Sequence, residues 1–143
     1  MKSTSLRLLQ VYLWFICIFH LMVGIGVSVS SGFPARVAAY YGARVDWTPQ
    51  FTYILKPLGA FMVVLGLLGI AAAMDPLKHR LIAYGFAGVF VIRTLQRIVF
   101  MQQLQDAFAI EPGRNLLHIV LFSAMAVALF ALQRRAERDA ANA

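Results

Sequence analysis

Charged residues are scarce in this chain, and acidic residues are the scarcest. Only 13% of the 143 residues are charged, 61% are hydrophobic, and the mean hydropathy is +0.74. A soluble domain carries about 25% charged residues, so the composition excludes an ordinary water-soluble protein. Six acidic residues stand against 13 Lys and Arg, which gives a net charge of +7. We predict one membrane-embedded domain over residues 1–143.

Cysteine and catalytic motifs are also nearly absent. Cys17 is the only cysteine, which excludes an intrachain disulfide and a cysteine-based metal cluster. The sequence contains no P-loop, GxGxxG, HExxH or CxxC motif, and no pair of carboxylates suited to proton relay or di-metal chemistry. We therefore assign no catalytic residue and no metal ligand, and an enzyme is the less favoured class.

Four long apolar runs fill most of the chain. Each reaches the ~20 residues needed to cross a hydrocarbon core, and they cover approximately residues 6–29, 51–73, 81–101 and 115–132. The dipeptides Thr48–Pro49 and Asp75–Pro76 indicate N-caps and first-turn prolines for the second and third runs. The segment PARVAAYYGARV, residues 34–45, favours a short helix on the membrane surface. The predicted fold class is all-α: a four-helix transmembrane bundle with a short interfacial helix in the first outer loop.

Basic residues near the ends of the runs predict the orientation. Seven lie on the side that carries both termini: Lys2, Arg7, Lys78, Arg80, Arg134, Arg135 and Arg138. Three lie on the other side: Arg36, Arg44 and Arg114. Because excess positive charge marks the cytoplasmic face, we predict a multi-pass membrane protein with both termini in the cytoplasm. Most of the net charge is then an orientation signal, which argues against nucleic acid as a partner.

Three further basic residues lie inside the apolar runs, and two histidines accompany them. At 1.5 Å per residue, Arg93 and His20 lie about 3 Å outside the bilayer midplane. Lys56, Arg97 and His118 lie about 9 Å outside it. Arg93 and Arg97 are four residues apart, so they share one helix face. Five ionisable positions from four different helices are thus predicted to converge in the outer half of the membrane.

The second run offers Lys56 a polar neighbour. Tyr53 shares a helix face with Lys56, and Pro57 deprives the carbonyl of Tyr53 of its helical donor. This carbonyl is an expected acceptor near Lys56. Both Lys56 and Arg97 are also long enough to snorkel to the outer headgroups.

No acidic residue accompanies the buried cations. All six lie outside the runs: Asp46, Asp75, Asp106, Glu111, Glu137 and Asp139. A central arginine costs about 2.5–3.5 kcal/mol even on a mild insertion scale. Arg93 therefore needs backbone carbonyls and tyrosines, water in a cavity, a partner subunit or an anionic ligand. Arg97 lies closer to the loop, where Asp106 or Glu111 is within its reach.

Small residues recur along the runs. Gly59, Gly66 and Gly69 in the second run, and Gly85 and Gly88 in the third, allow helices to approach closely. Packing within the bundle is the simpler interpretation, and a homo-oligomer contact along the same faces is the alternative.

The layout resembles the DoxX-like group of small bacterial inner-membrane proteins. The residues that carry this resemblance are FHLMVGIG at 19–26, LGAFMVVLGLLG at 58–69 and the turn DPLKHR at 75–80. The resemblance implies a location in the bacterial inner membrane, a four-helix bundle with a long first outer loop, and a link to quinone-coupled oxidoreductase complexes. The group often has an acidic residue where this chain has Lys56, so no functional residue is carried over.

These features predict a binding or accessory protein with membrane lipids as partners. A cationic pocket in the outer half of the bilayer would hold an anionic amphiphile, such as a lipid phosphate or a quinone-like molecule. The predicted ligand-binding residues are Arg93, Arg97, Lys56, His118, Tyr53 and His20. One alternative is a structural subunit of a larger, oxidoreductase-type membrane complex, in which a partner or a second copy supplies the missing negative charge. Another is a haem-binding or redox protein that uses His20 and His118. The sequence requires no cofactor and leaves haem and quinone open.

Overall fold

The computed structural model describes residues 3–142, and this part of the chain is all-α. Its helices are α1 (Thr4–Val29), α2 (Phe33–Tyr40), α3 (Pro49–Met74), α4 (Arg80–Val99), α5 (Met101–Phe108) and α6 (Pro112–Ala141). Between residues 3 and 142 there is no strand. Helices α1, α3, α4 and α6 are long and apolar enough to cross a membrane. The predicted helical bundle is confirmed, and the protein is a multi-pass membrane protein. Lys2, which counted toward the predicted orientation, lies outside the described residues.

Three elements differ in extent from the prediction. The short helix of the first loop begins at Phe33 and ends at Tyr40, so the segment from Tyr41 onward is irregular. After α4 ends, a separate helix α5 follows. It was not predicted, because eight residues are too few to show a clear helical period. Helix α6 continues well past residue 132, since Gln133 and Ala136 are still buried against the bundle.

Local capping explains where the second long helix begins. The hydroxyl of Thr48 accepts a hydrogen bond from the amide of Phe51 at 3.1 Å, and Pro49 occupies the first turn, as predicted. The prediction for Asp75 is wrong: it ends α3, and its carboxylate accepts from the amide of Lys78 at 3.1 Å. The residues after Asp75 form a turn, and α4 begins only at Arg80.

The four long helices pack as two pairs. Helix α1 packs chiefly against α3, and α4 chiefly against α6, while α1 joins the two pairs through α6. Helices α3 and α4 touch each other far less. Glycines bring α1 and α3 into backbone contact: a Cβ at Gly24 would lie 2.8 Å from the carbonyl oxygen of Gly59, and the reverse distance is also 2.8 Å. The small residues of the second run therefore serve packing inside the bundle, as the simpler interpretation held.

The outer surface of the bundle is apolar. Large hydrophobic side chains on every long helix face outward, for example Val29 at 77% exposed and Leu81 at 80% exposed. A soluble protein rarely exposes apolar patches of this extent. The exposed surface thus fits a hydrocarbon environment. Four polar residues are buried inside the bundle: His20, Asn115, His118 and Gln133.

The two ends of the bundle are formed by different elements. The terminal end carries the start of α1, the turn between α3 and α4, and the end of α6. Here Ser5 donates to Asp139, and the hydroxyl of Tyr84 donates to Glu137 at 3.0 Å. The opposite end, called the loop end below, carries α2, the segment 41–48 and α5. The amide of Arg44 donates to the carbonyl of Phe108 at 2.7 Å and ties this segment to α5.

Candidate functional site

Arg97 is held at the loop end by an asparagine that the sequence prediction missed. Its Nη1 donates to Oδ1 of Asn115 at 2.8 Å, and Nδ2 of Asn115 donates back to the carbonyl of Arg97 at 3.1 Å. Asn115 is only 2% exposed. The sequence did contain a signal for this residue: a polar amide side chain lies in the first turns of an apolar helix, and a buried amide needs hydrogen-bond partners. Arg97 thus has a neutral side-chain acceptor rather than a carboxylate.

Arg93 has a different environment. Its guanidinium carbon lies 4.8 Å from the centre of the Phe122 ring, a cation–π distance. Within residues 3–142 the one ion pair joins Arg134 and Glu137 at 3.9 Å, so no described carboxylate neutralises Arg93. Asp106, expected near Arg97, accepts from Gln102 at 3.0 Å instead. The missing counter-charge inferred from the sequence is therefore also missing from this part of the structure.

Aromatic rings form a layer beneath the two arginines. Tyr41 stacks on His118 with ring centres 4.6 Å apart, and Arg97 lies 5.6 Å from Tyr41 and 5.8 Å from Phe122. Nδ1 of His118 lies 2.7 Å from the carbonyl oxygen of Arg114, one turn earlier in α6. A carbonyl only accepts, so Nδ1 carries the proton of this bond. This layer fixes His118 and supports Arg97 without any formal negative charge.

A cleft of about 470 Å³ opens beside this layer. Its walls come from α1, α3 and α4 and from Phe122 of α6. Helix α2 and residues of the segment 41–47 form its roof. Most lining side chains are aliphatic or aromatic; the ionisable ones are His20, Arg36 and Arg93 together with Tyr40 and Tyr41. Ligand pockets in proteins are of this size and this mostly apolar character.

A second, more polar hollow of about 290 Å³ lies against α4 and α5. It is lined by Arg93, Gln96, Arg97, Phe100 and Leu104. Arg93 borders both the hollow and the apolar cleft. A molecule with a charged head and an apolar chain can therefore place its head in the hollow and its chain in the cleft, with Arg93 between them.

Lys56 lies apart from both spaces and caps a helix. Its Nζ donates to the carbonyl of Val27 at 3.2 Å. That carbonyl belongs to the last turn of α1, where helical acceptors lack amide partners and the helix dipole favours a cation. The acceptor is thus Val27 and not Tyr53, the one expected from the proline at 57. Tyr53 itself is 74% exposed and lines neither space.

The two histidines do not share a cavity. His20 is 6% exposed and lines the cleft, whereas His118 is absent from the cleft lining. Nδ1 of His20 lies 2.8 Å from the carbonyl oxygen of Ile16 in its own helix. Among residues 3–142, no group of three His, Cys, Asp or Glu side chains lies close enough to hold a metal ion.

Four of the six predicted ligand-binding residues are close to one another. Arg93, Arg97 and His118 meet around Phe122, and His20 shares the cleft with Arg93. Lys56 and Tyr53 stand outside this group. No family model, curated protein or solved structure matches this chain, so the resemblance to the DoxX-like group stays a prediction.

Proposed function

We propose that the protein is a membrane-embedded binding protein that holds an anionic amphiphile at the loop end of the bundle. The head, a phosphate group, would bind Arg93 with help from Arg97 and Gln96, and the apolar chain would occupy the cleft. Guanidinium groups recognise phosphate by paired hydrogen bonds with added charge, which favours this head over a neutral quinone. The DoxX-like resemblance, with its accessory role, is compatible with such a carrier or holder.

The single observation that carries the proposal is the position of Arg93. It borders an apolar cleft on one side and a polar hollow on the other, without a described carboxylate beside it. The cleft of about 470 Å³ is within the range for one small ligand. Arg93 is exposed on a helix that is apolar enough to cross a membrane. An anionic head beside it would lower the cost of keeping this cation in the hydrocarbon layer.

Charge also supports a position for the site in the membrane. The terminal end carries Arg7, Lys78, Arg80, Arg134, Arg135 and Arg138, whereas the loop end carries Arg36, Arg44 and Arg114. By the positive-inside rule, we propose that the termini are cytoplasmic and that the site faces the outer leaflet of a bacterial inner membrane.

The binding test compares dodecyl phosphate with dodecanol, its uncharged analogue. The purified protein in lipid nanodiscs should bind dodecyl phosphate more tightly in a titration followed by native mass spectrometry. Arg93→Ala should weaken dodecyl phosphate binding about 10-fold or more, because it removes a charged hydrogen bond worth about 1.5–3 kcal/mol. Dodecanol binding should change little.

Arg44→Ala is the matched control for this test. It removes one positive charge from the same end of the bundle, and the Arg44 side chain lines neither the cleft nor the hollow. An equal loss of dodecyl phosphate affinity in both variants would mean that general surface charge, and not a site at Arg93, causes the binding. Equal binding of the phosphate and the alcohol would overturn the proposed function.

A second candidate function has one specific observation in its favour. A Cβ at Gly85 or Gly88 on α4 would meet nothing within 4 Å, in contrast to Gly24 and Gly59. Such open small residues accept a close helix, so a partner subunit could pack here and bring a carboxylate to Arg93. Stoichiometric co-purification of a second membrane protein, lost in Gly85→Leu, would favour this structural role.

A further inference from the structure

One ring nitrogen of His20, Nε2, forms no hydrogen bond with the described residues, whereas Nδ1 forms one. The ring packs edge-on to Phe19 and Phe86, with centres 5.9 and 5.3 Å apart, so apolar groups fix its plane. Nδ1 is turned back to the carbonyl of Ile16, at 2.8 Å. Because His20 lines the cleft, Nε2 is the ring nitrogen left for a molecule inside it.

The hydrogen bond to Ile16 determines what Nε2 can do. A carbonyl oxygen has no proton to give, so Nδ1 is the donor in this pair. In a neutral imidazole with its proton on Nδ1, Nε2 is a hydrogen-bond acceptor. An acceptor that loses its water partner in an apolar space costs free energy unless a donor replaces the water.

Arg93 and His20 make the cleft polar at two distinct points. Both line the same space. Their positions along the apolar runs predict a similar depth for both, roughly 3 Å from the bilayer midplane. One point offers donors to an anion, and the other offers an acceptor to a hydroxyl group. A fully ionised phosphate has no proton to donate and can use only the first of them.

We infer that His20 accepts a hydrogen bond from a hydroxyl group of the bound amphiphile, so that the site selects phosphate lipids with a free hydroxyl close to the head. Single-chain glycerophosphates are the chemical class that fits both points. This inference rests on the proposed function, since the phosphate must first bind at Arg93. The inference makes His20 a residue that determines specificity, a role that does not follow from the positive charge of the site.

The test uses two probes that differ in one hydroxyl group. The first is 1-dodecanoyl-glycerol 3-phosphate, and the second is its 2-deoxy analogue, in which 1,3-propanediol replaces glycerol. The full-length protein in nanodiscs should bind the hydroxyl-bearing probe about 5-fold more tightly, the effect of one net hydrogen bond. His20→Phe should remove this preference, so that the two probes bind this variant with equal affinity. His20→Gln, whose amide oxygen can accept, should retain part of the preference even if the Phe variant folds poorly.

The outcomes separate the two proposals. If neither probe binds the unaltered protein, the proposed function fails. If both bind with equal affinity and Arg93→Ala weakens both, the binding function stands and the role of His20 is refuted. If His20→Phe weakens both probes by the same factor, His20 contacts the phosphate or the chain, and its selection of a hydroxyl group is likewise refuted.

Discussion

At the scale of single residues, Asn115 gives Arg97 the acceptor that the acidic residues of the chain do not provide. The two side chains and one backbone carbonyl form a closed pair of hydrogen bonds between α4 and α6. The sequence predicted the need of Arg97 for a partner, because no acid lies in the apolar runs. It did not predict Asn115, because a contact between residues 18 positions apart leaves no trace in helical periodicity. For Lys56 the reason is similar: its acceptor is a carbonyl at the end of another helix, which no side-chain pattern marks.

Replacing Asn115 should therefore destabilise the bundle. Asn115→Leu keeps a side chain of similar size but leaves the guanidinium of Arg97 without its acceptor, so we expect a loss of about 1.5 kcal/mol in the free energy of unfolding. Thermal unfolding in detergent would measure it. Gln102→Leu is the control, because its hydrogen bond to Asp106 is exposed on α5 and should contribute little. Unchanged stability in the Asn115 variant would contradict the structural role of this pair.

At the scale of secondary structure, the long helices could be predicted and their partners could not. Continuous apolar runs mark the four spans, and Thr48 with Pro49 marks the start of α3. Helix α5 is only eight residues long, too short to show a clear period, and the burial of Gln133 in the extended α6 depends on contacts with the turn at Pro76. The pairing of α1 with α3 through Gly24 and Gly59 needed coordinates, because glycines suggest close packing without naming the partner.

Two glycine variants should have effects of different sign. A Cβ at Gly59 would lie 2.5 Å from Oγ of Ser28 and 2.8 Å from the carbonyl oxygen of Gly24, so Gly59→Ala should destabilise the protein by about 1–3 kcal/mol. Gly85→Ala meets open space in a helix, where alanine is favoured over glycine, and should be neutral or stabilising. Chemical unfolding in mixed micelles would compare them. Unchanged stability in the Gly59 variant would mean that α1 and α3 are not packed through this contact.

At the scale of the whole molecule, the unequal distribution of basic residues predicts one orientation. Cysteine labelling can test it, since Cys17 is buried and should not react. In intact bacterial spheroplasts, an impermeant maleimide should label Ser31→Cys at the loop end, whereas Ala140→Cys at the terminal end should need lysis. Both substituted positions are exposed. The reverse labelling pattern would place the cationic site on the cytoplasmic side and contradict the proposed topology.

The sparse contact between α3 and α4 has a consequence for the route by which a ligand would enter the cleft. These two helices flank the cleft, while α2 closes it from above. A long-chain ligand would then enter the cleft laterally from the surrounding lipid, and its chain would not pass through water. The fraction of protein with bound ligand would depend on the mole fraction of the ligand in the bilayer rather than on its aqueous concentration. Adding lipid that does not bind would lower that mole fraction and release the ligand.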